Sequence, residues 1–154
     1  MGWVVLSFFI ALVLDSVSLG ATFQAFNPPW TVLVLIYWCW VLPAQVGPFT
    51  GFCVGLLLDV LSAGLLGLHA LGGSLVGLLT NRLRVILGRS TLWRQALVVW
   101  GMVLSYKAVV GWIQSLFTTT DLDFVYWLSS LVVVLAWPVV YTLLKELTPI
   151  KRRA

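Results

Sequence analysis

The chain has 154 residues, 61% of them hydrophobic and only 9% charged, and its mean hydropathy is +1.06. Soluble domains carry about 25% charged residues, so this chain cannot cover itself with polar surface, and a soluble enzyme is excluded. The formal charge of +4 sits in a few clusters and not on a basic face with interleaved aromatics, which excludes a nucleic-acid binder.

A membrane crossing takes about 20 apolar residues, so the length admits about six or seven spans and no separate soluble domain. The expectation is an all-α integral membrane protein, one domain over 1–154, with six transmembrane helices in one bundle. The first segment is about 2–19. It lacks a basic leader and Asp15 interrupts its apolar run, so it reads as a span and not a cleaved signal peptide. Asn27-Pro28-Pro29 cannot continue a helix. The second segment is about 30–46, with Pro43 set to kink or end it. The third is about 48–63, followed by a tight reversal that Gly64 and Gly67 permit. The fourth, about 68–86, leaves the membrane at Asn81-Arg82-Leu83-Arg84, with Arg89 and Arg94 in the following loop. The fifth is about 93–117. The sixth, about 124–147, contains Pro138 and leads to Lys151-Arg152-Arg153.

Eight of the nine basic residues lie either between the fourth and fifth segments (Arg82, Arg84, Arg89, Arg94) or at the carboxyl end (Lys145, Lys151, Arg152, Arg153). Cytoplasmic loops are the basic ones. With six spans, both termini and the fourth-to-fifth connection then fall on the cytoplasmic side. The basic fourth-to-fifth connection and the Lys151-Arg152-Arg153 tail serve as topology determinants or as attractors of anionic membrane lipids.

Three ionisable residues fall inside spans: Asp15, Asp59 and Lys107. A charge at mid-bilayer costs about 2.5–3.5 kcal/mol on insertion scales. All three lie in odd-numbered segments at similar depths, roughly 16–21 Å along at 1.5 Å per residue. Lys107 is therefore expected to pair with Asp59, Asp15 or both. Such a cluster is either a buried ion pair that fixes helix order or a binding or relay site. His69 opens the fourth segment and reads as a polar cap or interfacial residue, or as a ligand to something bound. Gly51-xxx-Gly55 and Gly73-xxx-Gly77 are small-xxx-small patterns, suited to close packing of segments three and four or to a partner helix.

Cys39 and Cys53 lie in apolar runs without CxxC spacing and read as packing residues, neither a disulfide nor a metal site. One histidine excludes HExxH. There is no GxSxG and no phosphate-cradling loop followed by Lys-Ser/Thr. The contexts LVLDSVS and LLLDVLS around Asp15 and Asp59 do not resemble an intramembrane aspartyl protease. No catalytic residue, cofactor or metal is expected, and the chain reads as a non-enzyme.

The run PFTGFCVGLLLDVLSAGLLGLHAL resembles the signature of the rod shape-determining protein MreD family. The correspondence falls on Gly51-Phe52, Gly55, Asp59, Leu66-Gly67 and Ala70-Leu71, with flanking matches at Asn27-Pro28, Trp30, Trp38, Pro43 and Trp93-Arg94-Gln95-Ala96-Leu97. Ala63 departs from the pattern, the glycine coming one position late at Gly64. The resemblance implies an inner-membrane component of the bacterial cell-elongation machinery. It would bind MreC, a bitopic protein, and associate directly or indirectly with MreB filaments, RodA and its transpeptidase during lateral peptidoglycan synthesis. It also implies a bundle similar to the substrate-binding subunits of energy-coupling-factor transporters. The Trp- and Gly-rich surfaces of segments two to four are the expected contact for a partner helix. The alternative is a small-molecule or lipid-binding membrane protein with its site around Asp15, Asp59, His69 and Lys107.

Overall fold

The computed structural model describes residues 2–16, 27–62, 65–117 and 124–147. Gly64, the 118–123 loop and the basic tail from Lys151 to Arg153 lie outside them. Among the described residues there are six helices: α1 (Gly2–Ser16), α2 (Trp30–Val41), α3 (Pro48–Leu61), α4 (Leu68–Arg89), α5 (Leu92–Phe117) and α6 (Phe124–Leu147). The fold is all-helical, as the hydropathy requires. α4 and α5 are each long and apolar enough to cross a membrane.

α2 is the centre. Thr31 through Cys39 are all buried, and Leu33, Ile36 and Cys39 are fully so. A helix apolar on every face is stable only when surrounded. α1, α4, α5 and α6 all pack on it. Around this core the outward surface is itself apolar. Val5, Phe9, Ile10, Phe49, Leu57, Val60, Leu71, Val85, Leu135 and Leu143 are all exposed. Soluble monomers do not leave apolar surface on this scale uncovered, whereas lipid covers it at no cost.

Two predicted boundaries change. α2 ends at Val41, not near 46, because Pro43 terminates the helix and does not merely kink it. The Leu42 and Val46 amides close a compact turn, bonding Trp38 O at 2.8 Å and Leu42 O at 2.9 Å respectively. At 12 residues α2 rises about 18 Å. The basic stretch that begins at Arg82 was expected to leave the membrane within a helix running to about 86. It continues α4 to Arg89, and α5 starts at Leu92. Arginine is a good helix former, so leaving the bilayer did not require leaving the helix. Gln95 closes this corner, its amide nitrogen donating to Leu87 O (2.8 Å) and Ser90 O (3.1 Å).

α2 presents almost no surface, and the glycines of α3 and α4 face each other. A Cβ at Gly51 would overlap the Gly73 carbonyl oxygen, and one at Gly73 would lie 2.5 Å from Gly51 O. A Cβ at Gly55 would overlap His69 O and lie 2.6 Å from Ala70 Cα. A Cβ at Gly77 would lie 2.9 Å from Pro48 Cα. The two small-xxx-small faces bring the α3 and α4 backbones into contact, and no side chain fits between them.

Candidate functional site

Asp59 sits in the last turn of α3, and the cap residue after that helix, Ser62, donates its hydroxyl to Leu58 O at 2.7 Å. The chain reverses through Gly67, which has φ +98°. That left-handed geometry favours glycine, and glycine offers no side chain to cap α4. Asp59 supplies the missing cap from the preceding helix. Its Oδ2 accepts from Gly67 N (2.8 Å) and Ala70 N (3.3 Å), and its Oδ1 from His69 N (2.9 Å). The fourth bond comes from the His69 ring, with Nδ1 at 2.7 Å from Oδ1. A carboxylate only accepts, so Nδ1 carries the proton. Asp59 is 1% exposed, and its roughly four acceptor positions are all used. The side chain bonded to Asp59 is the His69 imidazole, ten residues ahead.

Asp15 repeats the arrangement at the end of α1. Its Oδ1 accepts from Trp30 N and its Oδ2 from Thr31 N, both at 2.9 Å. These are the first amides of α2, where Pro29 at the N-cap provides no side-chain bond. The Trp30 indole donates to Asn27 Oδ1 at 2.8 Å and braces the same corner. Each intramembrane acid thus satisfies orphan N–H groups at the positive end of the next helix.

The two hairpins and α5 enclose a cleft of about 270 Å3. Asp15, Asn27, Pro28 and Pro29 come from the first hairpin, Leu58, Ser62 and His69 from the second, and Tyr106, Lys107, Val110 and Gln114 from α5. Asp15, His69 and Lys107 share this cleft, and Asp59 lies behind His69. Beneath it is a void of about 10 Å3 bordered by Thr31, Gly55, His69 and Tyr106. Thr31 Oγ1, buried there, has no hydrogen-bond partner. A void of this size accepts one water, and the hydroxyl is a partner for it. Sequence reasoning missed Asn27, Tyr106 and Gln114. Lys107, Val110 and Gln114 recur at i, i+3, i+7, so their common face was there to be read.

These features define an all-helical membrane protein with capped helical hairpins around a cleft that Asp15, His69 and Lys107 share. The sequence profile of the family described as rod shape-determining protein MreD matches residues 1–147, so the chain belongs to the MreD family. It is similar to rod shape-determining protein MreD of Haemophilus influenzae, with 32% identity over 144 residues covering 93% of this chain and 89% of that one. No solved structure matches.

Proposed function

We propose that this chain is a non-enzymatic scaffold of the bacterial cell-elongation machinery, seated in the inner membrane with both termini cytoplasmic. In this reading it holds the membrane-spanning helix of MreC and, through it or directly, couples to MreB filaments, RodA and its transpeptidase during lateral wall synthesis. The observation that carries the reading is the family match over nearly the whole chain. The basic residues of α4 and the tail support the orientation through the positive-inside rule.

Because α2 and the glycine faces are taken, the partner contact moves to the outside of the bundle. α1 and α6 both pack on α2 and leave a groove of about 330 Å3 between them, lined by Trp3, Ile10, Leu14, Trp30, Val34 and Leu143 among others. The test is native mass spectrometry of the chain extracted gently from its own membranes, with cysteine crosslinking from positions 10 and 143. Co-purification of MreC at fixed stoichiometry, crosslinked at these positions, supports the scaffold. A chain that purifies without it, from cells whose rod shape survives its depletion, overturns the scaffold.

A second reading, of a small-molecule or lipid-binding membrane protein, is favoured by one observation. The cleft gathers Asp15, His69 and Lys107 from three separate parts of the chain around open volume.

A further inference from the structure

We propose that the cleft binds a zwitterionic group, a primary ammonium joined to a phosphate or carboxylate, as in the head of phosphatidylethanolamine or a free amino acid. This deepens the second reading above and rests on it. The two acids near the cleft are not equivalent. Asp59 has four hydrogen bonds and no acceptor position left over. Asp15 accepts the Trp30 and Thr31 amides, one on each oxygen, and also lines the cleft. One wall of the cleft is therefore an acceptor of positive charge.

The other wall donates. Lys107 and Gln114 lie two turns apart on α5 and both line the cleft. A lysine ammonium has three N–H donors, so it serves a ligand alongside any other partner. Asn27 spends its carbonyl oxygen on the Trp30 indole, which leaves its NH2 group as a donor on the same cleft. A simple anion here would face Asp15, and a simple cation would face Lys107. A group carrying both charges answers both walls. The volume agrees. Pockets for drug-sized ligands run about 300–1,000 Å3, and about 270 Å3 suits a smaller group. The cleft also lies at the end of α1 and the starts of α2 and α4, where the helices give way to turns and lipid head groups are found.

The test is native mass spectrometry of the delipidated full chain titrated with phosphatidylethanolamine, phosphatidylcholine or phosphatidylglycerol. Phosphatidylethanolamine is expected to bind at one per chain. Phosphatidylcholine, whose ammonium has no N–H to give Asp15, should bind at least about tenfold more weakly, the loss of one charge-assisted bond. Lys107→Met and Gln114→Leu should each lower phosphatidylethanolamine binding by about tenfold or more. Lys145→Met, remote from the cleft, should leave it unchanged. Thermal unfolding of each variant confirms that it is folded. Competition by millimolar phosphoethanolamine or alanine assigns the site to a soluble zwitterion, and resistance to both assigns it to the lipid head. Equal binding of phosphatidylglycerol, lost in the Lys107→Met variant, would keep the second reading and overturn the zwitterion. Lipid binding unaffected in both folded α5 variants would overturn the site. A chain that binds none of these ligands would sink both, while co-purification with MreC would still decide the scaffold separately.

Discussion

Replacing Asp59 with asparagine separates a capping role from a charge-pair role. In Asp59→Asn one oxygen becomes an NH2 group. If it stands at Oδ2, it confronts the Gly67 and Ala70 amides. If the amide flips, it confronts the His69 amide and ring. In the first case two of four bonds are lost and donors meet donors; in the flipped case the ring can turn to the tautomer whose Nδ1 accepts, so only the His69 amide is left facing a donor. A hydrogen bond to a charged group is worth about 1.5–3 kcal/mol, and loss of an N-cap about 0.5–2 kcal/mol. Polar contacts within membranes run lower, averaging about 0.6 kcal/mol. The weaker bond, from Ala70 at 3.3 Å, contributes least. The expected cost is about 2–3 kcal/mol, below the sum of two full charge-assisted bonds. Reversible unfolding in mixed micelles, followed by tryptophan fluorescence, reads it. If Lys107 were the true partner, Lys107→Met would restore the stability of Asp59→Asn. The caps require additivity of the two changes to within about 0.5 kcal/mol. Rescue by Lys107→Met, or an Asp59→Asn variant as stable as the parent, would refute the capping account.

Gly55→Ala should destabilise by about 1–3 kcal/mol or more in the same assay, since its Cβ meets only backbone of His69 and Ala70. Gly101→Ala, where a Cβ meets nothing within 4 Å, should be neutral or stabilise by up to about 1 kcal/mol. Gly67→Ala has space for its methyl group but keeps a left-handed φ, so it should cost about 1–2 kcal/mol. Gln95→Leu removes both donors that close the α4–α5 corner and should cost about 1–2 kcal/mol, with faster amide exchange at residues 90–95.

Helix number, the location of the α3–α4 reversal and the close approach of its glycines were legible because each follows from local pattern. Hydropathy marks apolar runs, and two glycines four apart mark a bare helix face. The end of α2 at Val41 was half legible: Pro43 announced a break, but only the turn after it shows that the chain reverses. The expense of Asp15 and Asp59 was legible too, but not their partners. A sequence reader looks for a charge to answer a charge, and Lys107 was the evident candidate. The donors at Asp15 include backbone amides, which every residue but proline carries and no sequence advertises. Charge reports where the chain meets water, not whether its backbone is still helical.

The paired caps have a consequence for biogenesis. LVLDSVS and LLLDVLS close α1 and α3 alike, and each aspartate finds its donors only on the helix that follows. Alone in the bilayer, α1 or α3 would carry a bare carboxylate, and α2 or α4 a set of bare amides. Joined, each deficit cancels the other. Entry of the chain into the membrane is thereby favoured two helices at a time, as closed hairpins whose turns pass through together. The two helix pairs share one layout, an acid at the end of one helix capping the start of the next.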